Sequence, residues 1–247
     1  MYEPESHILI APILTAHSTN RNDIRRVIRD ALPSGRPLSV LDLGCGYGFL
    51  YEALPGFFAA GSTVLGIDGN PQNEPHFLAR VAASGAEPAF RCTQLPAPID
   101  LPDGSFELVL SIFSLYFFPR MLPEIRRLLR PGGLFVAVTH CTSSFAELNA
   151  IIGDDRVFGV LSEFNDRNGP SLLAPHFASV GVVPYPNRLV FARSDWPELQ
   201  AYLRFKRPDW MSDATARWVL QAVRSRLRQG ELVVSKDDVV FMCRSPR

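Results

Sequence analysis

Through the first 140 positions, short unbroken apolar runs alternate with stretches of helical period. SVLDL (39–43), TVLGID (63–68), AFRC (89–92), FELVLSIF (106–113) and LFVAVTH (134–140) read as strands. Several are apolar at nearly every position, the pattern of a strand covered on both faces. Between them, FLYEALPGFF (49–58) and PQNEPHFLARVAASG (71–85) read as helices, and SLYFFPRMLPEIRRLLRPGG (114–133) as a connection with a helix stopped by its Pro-Gly-Gly. A β-then-α order repeated in this way predicts an α/β fold, a mostly parallel sheet with helices on both faces. Upstream, residues 7–32 open on an apolar patch and continue as STNRNDIRRVIRDAL. There Ser18, Thr19 or Asn20 is placed to cap a helix whose Ile24, Val27, Ile28 and Leu32 recur at helical spacing.

Beyond His140 the pattern loosens. SSFAELNAIIG (143–153) reads as a short helix, 153–170 as a loop or lid, SLLAPHFASVG (171–181) as a helix and VVPYPNRLVF (182–191) as strand. DWPELQAYLRF (195–205) and DATARWVLQAVRSRLRQG (213–230) have helical period, and Gly230 stops the second. ELVVSKDDVVFMCR (231–244) reads as a hairpin, or one bulged strand, turning at Lys236-Asp237-Asp238.

Composition narrows the partners. The 247 residues carry 25 basic and 25 acidic side chains, so no whole-molecule field draws the chain to a polyanion, and nucleic acid is not an expected partner. Cys45, Cys92, Cys141 and Cys243 lie far apart, without a C-x-x-C pair or metal-ligand spacing. Reduced thiols in a cytoplasm, and no metal, are the expectation. MYEPESHILIAPIL puts acids before its apolar stretch, unlike a secretory leader, and no apolar run reaches the roughly eighteen residues that a membrane span needs. A soluble cytoplasmic protein, monomer or homodimer, follows as an expectation.

The candidate chemistry starts at SVLDLGCGYGFL (39–50). A strand, a glycine run and then a helix make a tight turn that exposes helix N-terminal N–H groups. Gly44, Gly46 and Gly48 let the backbone approach a ligand where a Cβ would collide. Asp68, at the carboxyl end of the next strand, is placed to accept both hydroxyls of a ribose, so the pair argues for an adenosine-containing ligand. A dinucleotide fingerprint has the spacing G-x-G-x-x-G, whereas here the third glycine comes one residue early. Asp42 beside the turn is a poor neighbour for a pyrophosphate and a good one for a ligand carrying an amino group and a sulfonium.

At this point the residues resemble a family. VLDLGCGYG is similar to the first motif of class I S-adenosylmethionine-dependent methyltransferases of the small-molecule type, and GIDGN to the second. LPDGSFELVLS resembles the segment through their fourth strand, and EIRRLLRPGGLFVAV the helix, turn and fifth strand, together covering about residues 38–140. The resemblance implies a Rossmann-like fold: a mostly parallel seven-stranded sheet with an antiparallel strand near the C-terminus and helices on both faces. It implies S-adenosyl-L-methionine as cofactor and S-adenosyl-L-homocysteine as product. By it, the turn Gly44-Cys45-Gly46 passes under the methionine portion and adenosine, Asp42 lies near the amino group, Asp68 holds the ribose, Gly69 and Asn70 border the adenine, and Ser111 lies close to the methionine moiety. Many relatives carry an acid after the third strand for the adenine amino group. Here the stretch is FRCTQLPAPIDLPDG, in which Thr93, Gln94 or a backbone carbonyl takes that place.

Methyl transfer from a sulfonium is an in-line displacement, so a base is wanted only when the acceptor still carries its proton. The candidates are His140, directly after the fifth strand at the ligand-binding sheet edge; His17, in an N-terminal segment that in the resembled family commonly folds over the cofactor; and Tyr116, after the fourth strand. Phe117 and Phe118 beside Tyr116 fit the core better than the acceptor. The cluster Arg126, Arg127 and Arg130 fits a solvated helix face, while RFKRPDW (204–210) is either surface or offers Arg204, Lys206 or Arg207 to an anionic substrate. The expectation is one methyltransferase domain over 1–247, with a helical cap in 1–36, a cofactor core in 37–142, and strands with substrate-cap helices in 143–247. Its reaction is methyl transfer to a small organic acceptor. The rivals are an RNA or protein methyltransferase, a non-catalytic S-adenosylmethionine-binding protein, and a dehydrogenase on a related sheet.

Overall fold

A computed structural model describes residues 4–153, 163–207 and 210–246. The apolar runs form β1 (Ser39–Leu43), β2 (Thr63–Asp68), β3 (Glu87–Cys92), β4 (Phe106–Ile112) and β5 (Leu129–His140). Four more strands follow: β6 (Phe177–Tyr185), β7 (Arg188–Phe191), β8 (Leu232–Ser235) and β9 (Asp238–Pro246). The main sheet has seven strands in the order β3-β2-β1-β4-β5-β9-β6, with β9 antiparallel to both neighbours and the β1 to β5 pairs parallel. This is the sheet that the sequence implies.

Side chains alternate between two cores because successive residues of a strand point to opposite faces. Val40, Val64, Leu108, Leu110, Val136 and Val138 pack against α2 (Ile24–Ala31) and α3 (Glu74–Ala83) through Ile28, Phe77 and Val81. Leu41, Leu43, Val109, Phe135 and Ala137 pack on the other face against α4 (Leu122–Leu128) and against Leu173 of α6 (Gly169–Leu173). Burial of each such side chain is worth about 1.5–3 kcal/mol, against about 1 kcal/mol for a typical hydrogen bond, so these layers set where the strand ends lie.

A third core joins segments from both ends of the chain. Ile10 of α1 (Pro4–His17), Leu148 of α5 (Ala146–Ile152), Leu199 and Tyr202 of α7 (Trp196–Phe205), and Val219 and Val223 of α8 (Asp213–Leu227) close around the antiparallel β7–β8 pair. The chain enters this cap after His140, enters it again after Tyr185, and returns to the sheet at Asp238. Both His140 and Tyr185 are register partners of Asp238. All three crossings therefore lie at the carboxyl edge of the parallel strands, over the ends of β1, β2 and β4.

Local readings are corrected in five places. FLYEALPGFF is no α-helix but a 3-10 turn, Phe49–Ala53, ended by Pro55-Gly56. α2 is capped by Asp23, whose carboxylate accepts from the Arg25 N–H, while Ser18 and Asn20 bond to Leu14 and Asn187 instead. In 171–181 the helix ends at Leu173 and β6 begins at Phe177, because pairing with β9 outweighs a short helical period. SKDD is not a hairpin: β8 pairs with β7 and β9 with β5 and β6, so the chain changes sheet at Lys236-Asp237. Phe117 is 62% exposed, while Phe118 is buried as the sequence suggests. Of the 153–170 loop, 154–162 lie outside the described residues. No helix among the described residues is long and apolar enough to cross a membrane.

Candidate active site

The glycine turn is a left-handed backbone. Gly44, Gly46 and Gly48 have φ of +65°, +51° and +84°, values that L side chains rarely adopt. The turn is pinned to the end of β2: the N–H groups of Gly44 and Cys45 donate to the Ile67 carbonyl, and that of Gly46 to Asp68 Oδ2 at 2.9 Å. These three donors are consumed internally, and no α-helix begins here. The turn is therefore not a phosphate cradle, which needs free N–H groups. What it offers is bare glycine surface: a Cβ built on Gly46 meets nothing within 4 Å.

Gly44 has the opposite surroundings. A Cβ there would lie 2.5 Å from Ser114 Cβ, and Ser114 donates its hydroxyl to the Leu43 carbonyl at 2.7 Å. Ser111 is fully buried, its hydroxyl 2.7 Å from that of Ser114, so it braces the turn from the β4 side. Gly44→Ala should accordingly cost about 2–4 kcal/mol, combining overpacking with left-handed strain. Chemical denaturation would measure it; a loss under 1 kcal/mol would refute the close contact.

Asp68 is held by three donors. Oδ1 accepts from the Asn70 N–H at 2.8 Å and from Asn73 Nδ2 at 2.9 Å, and Oδ2 from Gly46. A carboxylate has about four acceptor positions, so one stays open for a sugar hydroxyl. Asp42 lies behind the turn at 2% exposure, near Tyr51 and Cys45. Burial pushes its carboxyl up to about 7 against the neighbouring Tyr51 hydroxyl, and the Asp68 charge adds to the rise. Its Oδ1 is buried without a hydrogen-bond partner among the described residues. Burial also pushes the Cys45 thiol up, so it is no nucleophile. On the far side, Thr93 N–H donates to the Asp68 carbonyl at 2.8 Å, and Gln94 packs on Gly69 so closely that a Cβ there would lie 2.3 Å from Gln94 Oε1. Gly69, Asn70, Thr93 and Gln94 thus form one wall beside Asp68.

His140 ends β5 on the same edge. Its Nδ1 is 2.6 Å from Asp238 Oδ1, and Asp238 Oδ2 is 2.8 Å from Lys236 Nζ. Burial lowers the His140 pKa below the ordinary value, against the pull of Asp238, so the ring is neutral at pH 7. Burial would raise the pKa of Asp238, but Lys236 and His140 outweigh it and hold the carboxylate ionised. An ionised partner on Nδ1 fixes the tautomer: Nδ1–H donates to Asp238 and Nε2 keeps its lone pair. Nε2 makes no hydrogen bond to any described residue.

Two residues flanking this ring have strained backbones. Phe113 and Phe145, with φ of +57° and +66°, are the non-glycine residues of positive φ among those described. Their ring centroids lie 5.0 and 6.1 Å from that of His140. Such conformations cost about 1–3 kcal/mol each and cluster where surroundings impose a site. Tyr116 stacks near His140, with centroids 6.3 Å apart, and Phe49 beyond the glycine turn contacts Phe113.

His17 is placed elsewhere. Nδ1 bonds the Val190 carbonyl at 2.7 Å, Nε2 bonds the Glu198 carboxylate, and the ring stacks on Phe191. With both nitrogens engaged inside the cap, His17 ties α1 to β7 and α7 and offers no free lone pair. Of the sequence candidates, the structure brings the glycine turn, Asp68, Gly69, Asn70, Thr93, Gln94, Tyr116 and His140 to one edge. It adds Asn73, Phe113, Phe145, Lys236 and Asp238. Asn73 had a readable signal, five residues past Asp68 in a polar loop. Asp238 had none, since it meets His140 across 98 residues.

This sheet order, with a left-handed glycine turn after β1 and an acid closing β2, defines the class I methyltransferase fold. Residues 41–137 match the family model described as methyltransferase domain. The chain is 32% identical over 154 residues to a 23S rRNA (guanine(748)-N(1))-methyltransferase of Streptomyces fradiae, covering 62% of this chain and 50% of that protein. It is 31% identical over 127 residues to a ubiquinone biosynthesis O-methyltransferase of Methylobacterium nodulans, covering 50% and 49%. The chain thus spans about half the length of these curated relatives. Among solved structures, YcgJ of Bacillus subtilis superposes with a TM-score of 0.61 over 90% of this chain and 98% of its own, at 13% identity, a likeness of fold. Residues 41–137 are therefore a class I methyltransferase domain, of the family that uses S-adenosylmethionine.

Proposed function

We propose that this chain methylates a small organic acceptor bearing a hydroxyl or amine, with His140 Nε2 taking the acceptor's proton. The observation that carries the reading is the His140–Asp238 pair, held among Phe113, Phe145 and Tyr116 on the same edge as the glycine turn. The residues present fit the cofactor: open space over Gly46, an open acceptor position on Asp68, and the orphaned Asp42 Oδ1. Gly44 to Gly48 and Asp68 would hold its amino-acid tail and ribose, with Gly69, Asn70, Thr93 and Gln94 at the base. When bound, S-adenosylmethionine supplies a methyl group on a positively charged sulfur. The chain's own contribution is then to hold the acceptor in line, to keep water out beneath the cap, and to move one proton from the acceptor heteroatom to Nε2. Asp238 stabilises the imidazolium that results.

In this proposal the described parts of 1–36 and 143–229 close over the core, and the four cysteines, all unpaired, suit a reducing cytoplasm. A small acceptor is favoured over RNA because most of the basic cluster at α4 and the start of β5 is engaged. Arg127 pairs with Glu124 and Asp103, and Arg130 with Glu107, which leaves the exposed Arg126, too little charge there for a phosphate track. The test is calorimetry of the full chain with S-adenosylmethionine, then a screen of phenols, hydroxy acids and amines for S-adenosylhomocysteine release. Micromolar binding and release with a small acceptor are expected. Absence of binding heat, or turnover with RNA alone, would reject the proposal.

A further inference from the structure

One charge at this edge has no counterpart among the described residues. Lys206, just past α7, has Nζ 5.2 Å from the centre of the Phe145 ring and 5.8 Å from that of Phe205. Among the described residues it has no carboxylate within ion-pair distance, whereas its neighbours in RFKRPDW are accounted for. Arg207 bonds Asp213 and the Met211 carbonyl, and Arg204 is exposed. Lys206 also lies on the path between the base and the glycine turn: Phe145 contacts His140 on one side, and Phe205 contacts His7, itself 5.5 Å from Tyr47, on the other.

The charges facing Lys206 are His7 from α1, His140 from β5, Lys236 from the turn before β9, and Asp238 from β9. Burial, with Lys206 adding to it, lowers His7 to about 4, and burial keeps His140 neutral too. Asp238 is already shared between Lys236 and His140. Among the described residues the sum is one uncompensated positive charge between aromatic faces. Burial, reinforced by Lys236, pushes the Lys206 pKa down to about 8, the response of an ammonium short of a partner. Aromatic faces recover only part of the hydration lost on burial. An acceptor bringing a carboxylate supplies the missing partner, and a flat apolar body suits the ring faces beside it.

We propose that Lys206 is the recognition residue for a carboxylate on the methyl acceptor, so that the acceptor is an aromatic or similarly flat organic acid. This rests on the methyl-transfer reading above and assigns its substrate class. A charge-assisted pair of this kind is worth about tenfold or more in affinity.

The test uses the full chain saturated with S-adenosylhomocysteine and two probes of equal shape, benzoate and benzamide, titrated by NMR. Benzoate should bind at least about tenfold more tightly at pH 7, and the preference should decline as pH rises through about 8. Lys206→Met, which keeps the unbranched stem against Phe145 and Phe205, should erase the preference while leaving benzamide affinity within about twofold. Equal affinity of the two probes for the native chain, binding of neither, or a preference that survives Lys206→Met would overturn the proposal; the pH series needs no variant to fold. Benzoate preference without turnover on any acceptor would reject methyl transfer alone. Turnover on neutral acceptors with equal probe affinities would reject the acidic acceptor alone.

Discussion

Asp68→Ala should weaken S-adenosylmethionine binding by about 10²- to 10³-fold in calorimetry. A hydrogen bond to a charged group is worth about 1.5–3 kcal/mol, so one ribose hydroxyl at the open acceptor position supplies about 10- to 10²-fold of that loss. The same carboxylate also accepts from the Gly46 and Asn70 N–H groups and from Asn73, so part of the loss arises from a loosened turn. Two companions separate the contributions. Asn73→Ala removes one supporting donor and leaves the carboxylate, so it should cost less than about tenfold. Gly46→Val leaves Asp68 intact but fills the open space over the turn and strains a φ of +51°, and should abolish binding. Unchanged affinity in Asp68→Ala would remove the basis for placing the cofactor at this edge.

The second large effect concerns the proton. His140→Gln should slow methyl transfer by about 10²- to 10⁴-fold, the usual contribution of a positioned base, while binding of the cofactor stays within a few-fold. Asp238→Asn should lose a comparable amount, because the amide neither fixes the Nδ1–H tautomer nor stabilises the imidazolium. The pH dependence distinguishes a base from a structural histidine. Activity should rise with pH through the His140 pKa, which burial sets below the ordinary value of about 6.5. In Asp238→Asn the attraction that partly opposes burial is gone, so the acid limb should move to still lower pH. A rate that falls as pH rises towards 7, or a limb moving to higher pH in Asp238→Asn, would contradict the assignment. The tautomer is also visible directly in the ¹⁵N shifts of the ring, with Nδ1 protonated and Nε2 bare.

Partly buried histidines also make stability depend on pH. Folded His140 and His7, the latter lowered to about 4, refuse protons that the unfolded chain accepts below about 6.5. Their contribution to stability is complete above about 6.5 and is lost as pH falls through their folded pKa values. Melting temperature should therefore drop between pH 7 and pH 5.

What could be read along the chain was local. The alternation of strand and helix periods, the three glycines after β1, the acid ending β2 and the histidine ending β5 each depend on neighbours a few positions away, and all reach the predicted sheet edge. Local period failed where tertiary pairing outweighed it. FASVG became strand because β9 pairs with it, and SKDD joined two sheets instead of turning within one. Folding alone decided which polar groups meet. His17 and His140 look alike in sequence, yet the cap's own Val190 and Glu198 occupy both nitrogens of one, while Asp238 occupies a single nitrogen of the other. Lys206 and Arg207 are adjacent in one basic stretch, and only the packing of α7 leaves the first without a carboxylate partner among the described residues and gives the second Asp213. The physical reason is range: backbone period and turn chemistry are written over a few residues, whereas burial and ion pairing arise between segments that only the closed cap brings together.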